Sequence, residues 1–405
     1  MSDLSSNLSY IVAIFTLHCG RVINLLAIRS RVHLLPFAMK ITLLVLGWLF
    51  AMGYPLLGQP AAAPGANITI QLDFESAKAI IGLLTKAKVT DTELNQVAKL
   101  YGSQQLIEKV TSYDNTGTEA VFKQTLREII ETGTVNGKDP FEWKIVKTNL
   151  GAVQHMISEL EAKGLFLEDV KRCILPYCPP TSQVTARACF LVGGVALGFT
   201  LGHDDTFNVA LQKIGDNYEG LVSLVAHELY HTVQLVGERG RKKETLAGNL
   251  PKPVATASML LTNLWSEGTA QLVGDVTIPG KPTSFMQRQS EYQRNRQRMR
   301  SNFALFESLL FSAYYDSTAK AGNLYNIGFT TSFDQTAYYT GYQMAKEIET
   351  HKGKAVLAAL VNQSPLDFCR LYIQLYKEHP DKINYKFSPA MEAIIAKLAP
   401  WQDKI

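Results

Sequence analysis

The chain has 405 residues, 46% of them hydrophobic and 19% charged, enough to bury a sizeable core and too apolar for disorder to be its main theme. Its formal charge is +4, but residues 1–63 hold Arg21, Arg29, Arg31 and Lys40 against Asp3 alone, which leaves 36 basic and 35 acidic residues beyond them. A nearly neutral body argues against a protein that works through phosphate contacts, and no nucleic-acid partner is expected.

Two apolar stretches open the chain. Residues 10–28 are interrupted by His18 and Arg21, so a membrane helix there would bury charge. Met39-Lys40 followed by ITLLVLGWLFAMG, then Pro and Gly breakers and Ala61-Ala62-Ala63, has the positive start, short apolar run and small-residue end of a secretory signal. That run falls short of the roughly 20 residues a membrane helix needs, so cleavage is expected and no stable span in the mature chain. The expectation is an exported protein of the periplasm, cell envelope or medium. Residues 1–63 are then the targeting region, with the signal at 39–63 and Met39 as the true start; an uncleaved N-terminus would tether the protein to the membrane instead.

Residues 64–170 read as a helical lobe. Apolar residues recur at three- and four-residue spacings in 77–84 and 145–160, and Thr90 with Glu93 has the spacing of a capping box. The lobe holds no cluster of His, Cys or acidic residues suited to chemistry, and scaffold is its expected role.

The texture changes after residue 170. Segment 173–180 is loop-like, while 184–192 and 207–211 are β-branched or apolar runs separated by the glycine-rich stretch 193–202; together they predict a small sheet. The glycines lack the spacing of a dinucleotide fingerprint. Cys173, Cys178, Cys189 and Cys369 could form disulfides in an exported chain, with three pairings open, and the absence of any Cys-x-x-Cys pair gives no sign of a structural zinc knuckle.

Asp216 followed three residues later by Glu219 and then GLVSLVAHELYHTVQLV is how an amphipathic helix begins. Inside that run His227 and His231 stand one helical turn apart, so both imidazoles can project from one face toward a single ion. Neutral imidazole is a good zinc ligand. Glu228, beside the first histidine, is placed to take a proton from a water acidified by the metal. The flanking Leu224, Val225, Ala226, Leu229 and Val233 predict a buried helix, where two unpartnered histidines and a glutamate would be costly to desolvate. A metal gives them a reason to be there.

Two histidines leave a catalytic zinc one protein ligand short. The extended motif with a third histidine fails, since Gln234 stands where it needs glycine and Gly237 where it needs histidine. The run ASMLLTNLWSEGTAQLVGD offers Glu267 instead, 36 residues beyond His231, with Gly268 and Ala270 small enough for close helix approach.

HELYH followed by a helix bearing SEGTAQ resembles the glutamate-ligand zincins, the group that includes thermolysin and the zinc aminopeptidases. Within it the chain resembles an uncharacterised family described as zinc-dependent peptidases. The resemblance implies a zincin-like catalytic core with Zn2+ on His227, His231 and Glu267, Glu228 as general base, and a peptide or protein as substrate. Such enzymes often carry a later tyrosine that steadies the oxyanion, in a Tyr-x-x-Gly setting in the aminopeptidases, and Tyr338-Tyr339-Thr340-Gly341 matches it. Tyr338 is the candidate and Tyr339 the fallback.

Two departures stand out. Where thermolysin-like enzymes place an aspartate four residues after the glutamate ligand, this chain has Gln271, so Asp275 becomes the candidate to orient a histidine beside it. The Gly-x-Met-Glu-Asn segment with which aminopeptidases read a free amine is absent, which favours an endopeptidase. Because zincins usually set a strand beside the metal helix, Phe207, Asn208, Val209 and Ala210 are the candidate substrate-binding strand, with an interior position as the alternative.

Beyond residue 216 the chain returns to helices, with no repeat of fixed period. The five arginines in 288–300 read as a solvated helix face covering the apolar run 303–311 in preference to an anion site. The expected fold is α+β and predominantly helical. It comprises a helical N-terminal lobe at 64–170, a zincin-like core at 171–283 with its small sheet packed on the metal helix, and a helical C-terminal lobe at 284–405. The expected function is zinc-dependent peptide-bond hydrolysis; the alternative is a catalytically inactive binding or structural protein of the cell envelope with the same fold.

Overall fold

Alternating isoleucines make Asn67–Asp73 a strand, β1, with Ile68 and Ile70 buried. The computed structural model describes residues 65–201, 205–241, 250–275 and 285–405; the expected targeting region, 1–63, lies outside them. β1 does not follow from the helical reading of the first lobe, because two alternating residues are too short a signal to stand out beside the helices that follow.

β1 runs parallel to β2 (Gln183–Leu191), β2 runs parallel to β4 (Thr206–Ala210), and β3 (Gly198–Thr200) lies antiparallel on the far side of β4. The sheet order is β1-β2-β4-β3. Both predicted strand runs are therefore strands, and the glycine-rich stretch between them contains a third. After β2 the chain turns through Gly193 at φ 112°, where an added Cβ would meet the Phe141 carbonyl at 3.1 Å.

β4 is buried at every residue and paired along both edges. This corrects one sequence expectation: an extended peptide cannot add to Phe207–Ala210, whose backbone groups already serve β2 and β3. The edge beyond β4 belongs to β3.

Between β1 and β2 the chain forms α1 (Glu75–Leu84), α2 (Asp91–Ala98), α3 (Tyr101–Tyr113), α4 (Glu119–Glu131), α5 (Trp143–Thr148), α6 (Leu150–Lys163) and α7 (Phe166–Ile174). Thr90 caps α2 as its spacing predicts: its hydroxyl accepts from Glu93 N at 3.3 Å, and the Glu93 carboxylate accepts from Thr90 N at 2.8 Å. The core of this region centres on Trp143, fully buried against Phe122 and Phe141, with its indole N–H donating to Thr125 Oγ1 at 2.9 Å.

Two long helices follow the sheet, α8 (Tyr218–Arg241) and α9 (Lys252–Val273). Asn217 starts α8, its side-chain oxygen accepting from Gly220 N at 2.8 Å, a task the sequence pattern had suggested for the Asp216 and Glu219 pair. α8 packs on the sheet and on α9.

The C-terminal region supplies α10 (Phe285–Gln297), α11 (Met299–Tyr315), α12 (Ala321–Phe329), α13 (Thr336–Lys352), α14 (Lys354–Leu360), α15 (Pro365–Glu378) and α16 (Pro389–Leu398). α13 lies against α9 at a crossing made by Gly268 and Gly341. A Cβ on Gly268 would sit 2.3 Å from the Gly341 carbonyl carbon, so only glycine lets the two backbones come this close. The arginine-rich segment has a more specific task than covering an apolar face. Arg294 forks onto Asp334 at 3.0 and 3.2 Å and Arg298 reaches it at 2.8 Å, which holds the left-handed Asp334–Gln335 turn that leads into α13.

The fold is thus predominantly helical α+β with a four-stranded mixed sheet. No helix among the described residues is long and apolar enough to cross a membrane. Among the described residues no disulfide joins Cys173, Cys178, Cys189 and Cys369, and the last three are buried.

Candidate metal centre

The site forms where α8, α9 and α13 meet. One turn of α8 puts His227 and His231 side by side, and α9 brings Glu267 across to them. The three donor atoms close a small triangle: His227 Nε2 to His231 Nε2 is 3.2 Å, His227 Nε2 to Glu267 Oε2 is 3.5 Å, and His231 Nε2 to Glu267 Oε2 is 3.3 Å. They are the one group of three or more potential ligands that converges in this way among the described residues.

These spacings suit zinc. Donors about 2.0–2.1 Å from a tetrahedral ion stand roughly 3.3 Å from one another. A buried feature points the same way: Glu267 Oε2 is shielded from solvent and accepts no hydrogen bond, though two imidazole nitrogens face it. An acceptor left in that condition is costly unless a cation shares it.

Charge reflects the same crowding. Burial pushes the pKa of His227 down, with Glu267 opposing it. Burial also works against a charge on His231, but the Glu267 carboxylate outweighs it and carries the pKa up to about 9. Burial would raise Glu267, yet the His231 and His227 rings hold it far below the usual carboxylate range. Without a metal the trio therefore holds a proton on its His231 side, and a metal ion would take that proton's place.

Glu228 follows His227 on α8 and lies against β3, where Glu228 Oε1 comes within 2.4 Å of the place a Cβ on Gly198 would occupy. A larger residue at 198 would force the Glu228 carboxylate to move from this position. The edge strand β3 is thus in contact with Glu228.

Tyr338, in the first turn of α13, lies parallel to the His227 ring with centroids 6.4 Å apart and packs on Phe329. Burial raises its pKa well above the ordinary phenol value, and the Glu267 and Glu228 carboxylates add to the effect, so the hydroxyl keeps its proton. Tyr339 points elsewhere: it is buried and donates to Glu291 Oε1 at 3.3 Å. The fallback is therefore not at the site. Tyr325, which sequence reasoning passed over, stacks on Phe329, and its pKa is raised by burial and by the Glu267 charge.

The supporting contacts differ from expectation. Asp275 is engaged by the Tyr342 hydroxyl and lies 3.8 Å from Lys346, and among the described residues no hydrogen bond joins Gln271 or Asp275 to either histidine. His231 Nδ1 instead lies 2.9 Å from Gln234 Oε1 and 3.1 Å from Ser266 Oγ. The signal was present in the sequence, since Gln234 stands three residues past His231 on the same helix face and Ser266 directly precedes Glu267. His227 is steadied by packing. The Ser223 hydroxyl donates to the Gly274 carbonyl, and a Cβ on Gly274 would approach His227 Cβ to 3.2 Å.

A groove of about 710 Å³ between α11 and α16, lined by Phe303, Phe311, Ile383 and Met391 among others, shares no lining residue with the trio. The trio and Glu228 lie elsewhere, on α8 and α9, with Glu228 against β3.

Residues 94–381 match the sequence model of a family described as "Putative zinc dependent peptidase (DUF5700)", well over half of the chain. No curated protein and no solved structure matches it.

Proposed function

The chain belongs to this family, and from that premise we propose that it hydrolyses peptide bonds with a zinc ion held by His227, His231 and Glu267. The observation that carries the reading is the convergence of three donor atoms from two helices, 3.2 to 3.5 Å apart, around an acceptor with no hydrogen bond.

Zinc held there would supply Lewis acidity to the scissile carbonyl and acidify the attacking water. Glu228 takes the water proton and passes it to the leaving amine, splitting the amide with no net proton change at the enzyme. Tyr338, kept protonated, donates to the oxygen on which negative charge develops. The substrate lies as an extended segment along β3, at whose Gly198 the base sits. The missing Gly-x-Met-Glu-Asn segment favours cleavage within chains over removal of N-terminal residues. Export through a signal in 39–63 belongs to the same proposal, and N-terminal sequencing that finds residues 1–38 on the mature protein would refute it.

The test uses zinc-loaded protein and a diverse peptide library read by mass spectrometry. Wild type should cleave, and Glu228→Gln should keep its zinc while losing turnover by at least about a hundredfold. A variant as active as wild type would remove Glu228 from the mechanism. Zinc-loaded wild type that cleaves nothing would favour the inactive binding protein.

A further inference from the structure

Gln234 is buried, and its amide has four polar neighbours that leave it one orientation. Nε2 lies 3.0 Å from the Ser266 carbonyl oxygen and 2.7 Å from Thr269 Oγ1. Oε1 lies 2.9 Å from both His231 Nδ1 and Ser266 Oγ. A backbone carbonyl can only accept, so turning the amide over would set two acceptor oxygens against each other in a buried site. Thr269 has already given its one hydroxyl proton to the Trp265 carbonyl at 2.7 Å, so it too can only accept from Gln234. The amide nitrogen must face α9, and the amide oxygen must face His231.

The consequence falls on the ring. Nδ1 faces an amide oxygen, and a serine hydroxyl whose proton is directed at that same oxygen, so Nδ1 has to be the nitrogen that carries hydrogen. The neutral imidazole then keeps its lone pair on Nε2, the atom that looks toward His227 and Glu267. We infer that Gln234 is the positioning residue that sets the tautomer and aim of His231 as a metal ligand. A carbonyl on α9 dictates, through one amide, which nitrogen on α8 is free to bind. The inference rests on the zinc reading and deepens it, filling with Gln234 the role for which the sequence alone offers Gln271 and Asp275.

The test is zinc affinity, measured on the full chain by competition with a chromophoric chelator, together with the visible spectrum of the cobalt-substituted protein. Gln234→Met keeps the length of the side chain and has neither donor nor a strong acceptor; zinc should bind 10- to 100-fold more weakly, with altered cobalt bands. Gln234→Glu keeps an acceptor for His231 but cannot donate to Ser266 when ionised; zinc affinity should stay within about threefold of wild type. A part limited to fastening α8 to α9 would weaken the Glu variant as much as the Met variant, and that result overturns the inference. So does wild-type affinity in the Met variant. Should Gln234→Met not fold, Gln234→Asn, one methylene short of the ring, carries the same expected loss, and wild-type affinity there is equally fatal. Wild type that takes up no zinc would instead sink the metal reading itself, so the two failures are distinguishable.

Discussion

The glycine crossing of α9 and α13 makes a sharp prediction, because Glu267 stands next to Gly268 and Tyr338 lies one turn before Gly341. In Gly268→Ala the new methyl would meet the Gly341 carbonyl carbon at 2.3 Å, Gly341 Cα at 2.4 Å and Tyr342 N at 2.7 Å, all of them backbone. Carbon contacts settle at about 3.5–4.0 Å, so no rotamer relieves this and the helices must part by roughly an ångström. Overpacking of this kind costs about 1–3 kcal/mol. With a urea m value near 3 kcal/mol/M, the midpoint of metal-free protein should fall by roughly 0.3–1 M. Parting α9 from α13 also displaces Glu267, the neighbour of Gly268, relative to the two α8 rings that its oxygen now meets at 3.3 and 3.5 Å, so zinc affinity should fall at least about tenfold. Gly82→Ala is the control: it too is a helical glycine, with nothing within 4 Å of the added carbon, and should gain about 0.5–1 kcal/mol from helix propensity with zinc affinity unchanged. If Gly268→Ala folds with the wild-type midpoint and binds zinc as wild type does, the crossing does not position Glu267.

Gly198→Ala would bring a methyl within 2.4 Å of Glu228 Oε1, the end of a flexible side chain; the fold and zinc affinity should survive while peptide cleavage falls about 10- to 100-fold, and undiminished cleavage would separate β3 from the base. Tyr338→Phe should keep zinc and KM but lower kcat by roughly a hundredfold or more, and an unchanged kcat would leave the tyrosine with packing alone. In metal-free protein the raised pKa of His231 contributes stability that is complete below the unfolded value of 6.5 and lost as pH rises through about 9, so urea midpoints should decline across that window. His227, whose pKa is lowered, acts on the other side and withdraws its contribution as pH falls below 6.5. Zinc has to displace the His231 proton, so its affinity should rise about tenfold per pH unit through the same alkaline window. An affinity flat between pH 6.5 and 9 would contradict the proton held by His231.

What the sequence by itself determined is local. The four-residue spacing of His227 and His231 is one turn of a helix whatever surrounds it, and the apolar runs of β2 and β4, the Thr90 capping box and the apolar faces of the long helices follow from periods of two and 3.6 residues. Glu267 was legible by residue type and its small neighbours, not by position, since nothing in a 36-residue separation says that two helices return to the same point. That closure is a tertiary matter, decided by backbone contact at Gly268 and Gly341 and by the packing of α9 on α8. Sheet order is another: β4 looks like a candidate edge in sequence, yet pairing with the three-residue β3 buries it and hands the edge to a stretch that reads only as glycine-rich. The partner of His231 was decided the same way. An amide on α8, a carbonyl and two hydroxyls on α9 acquire meaning only when the helices touch, because hydrogen bonds reach about 3 Å and sequence distance carries no information on that scale.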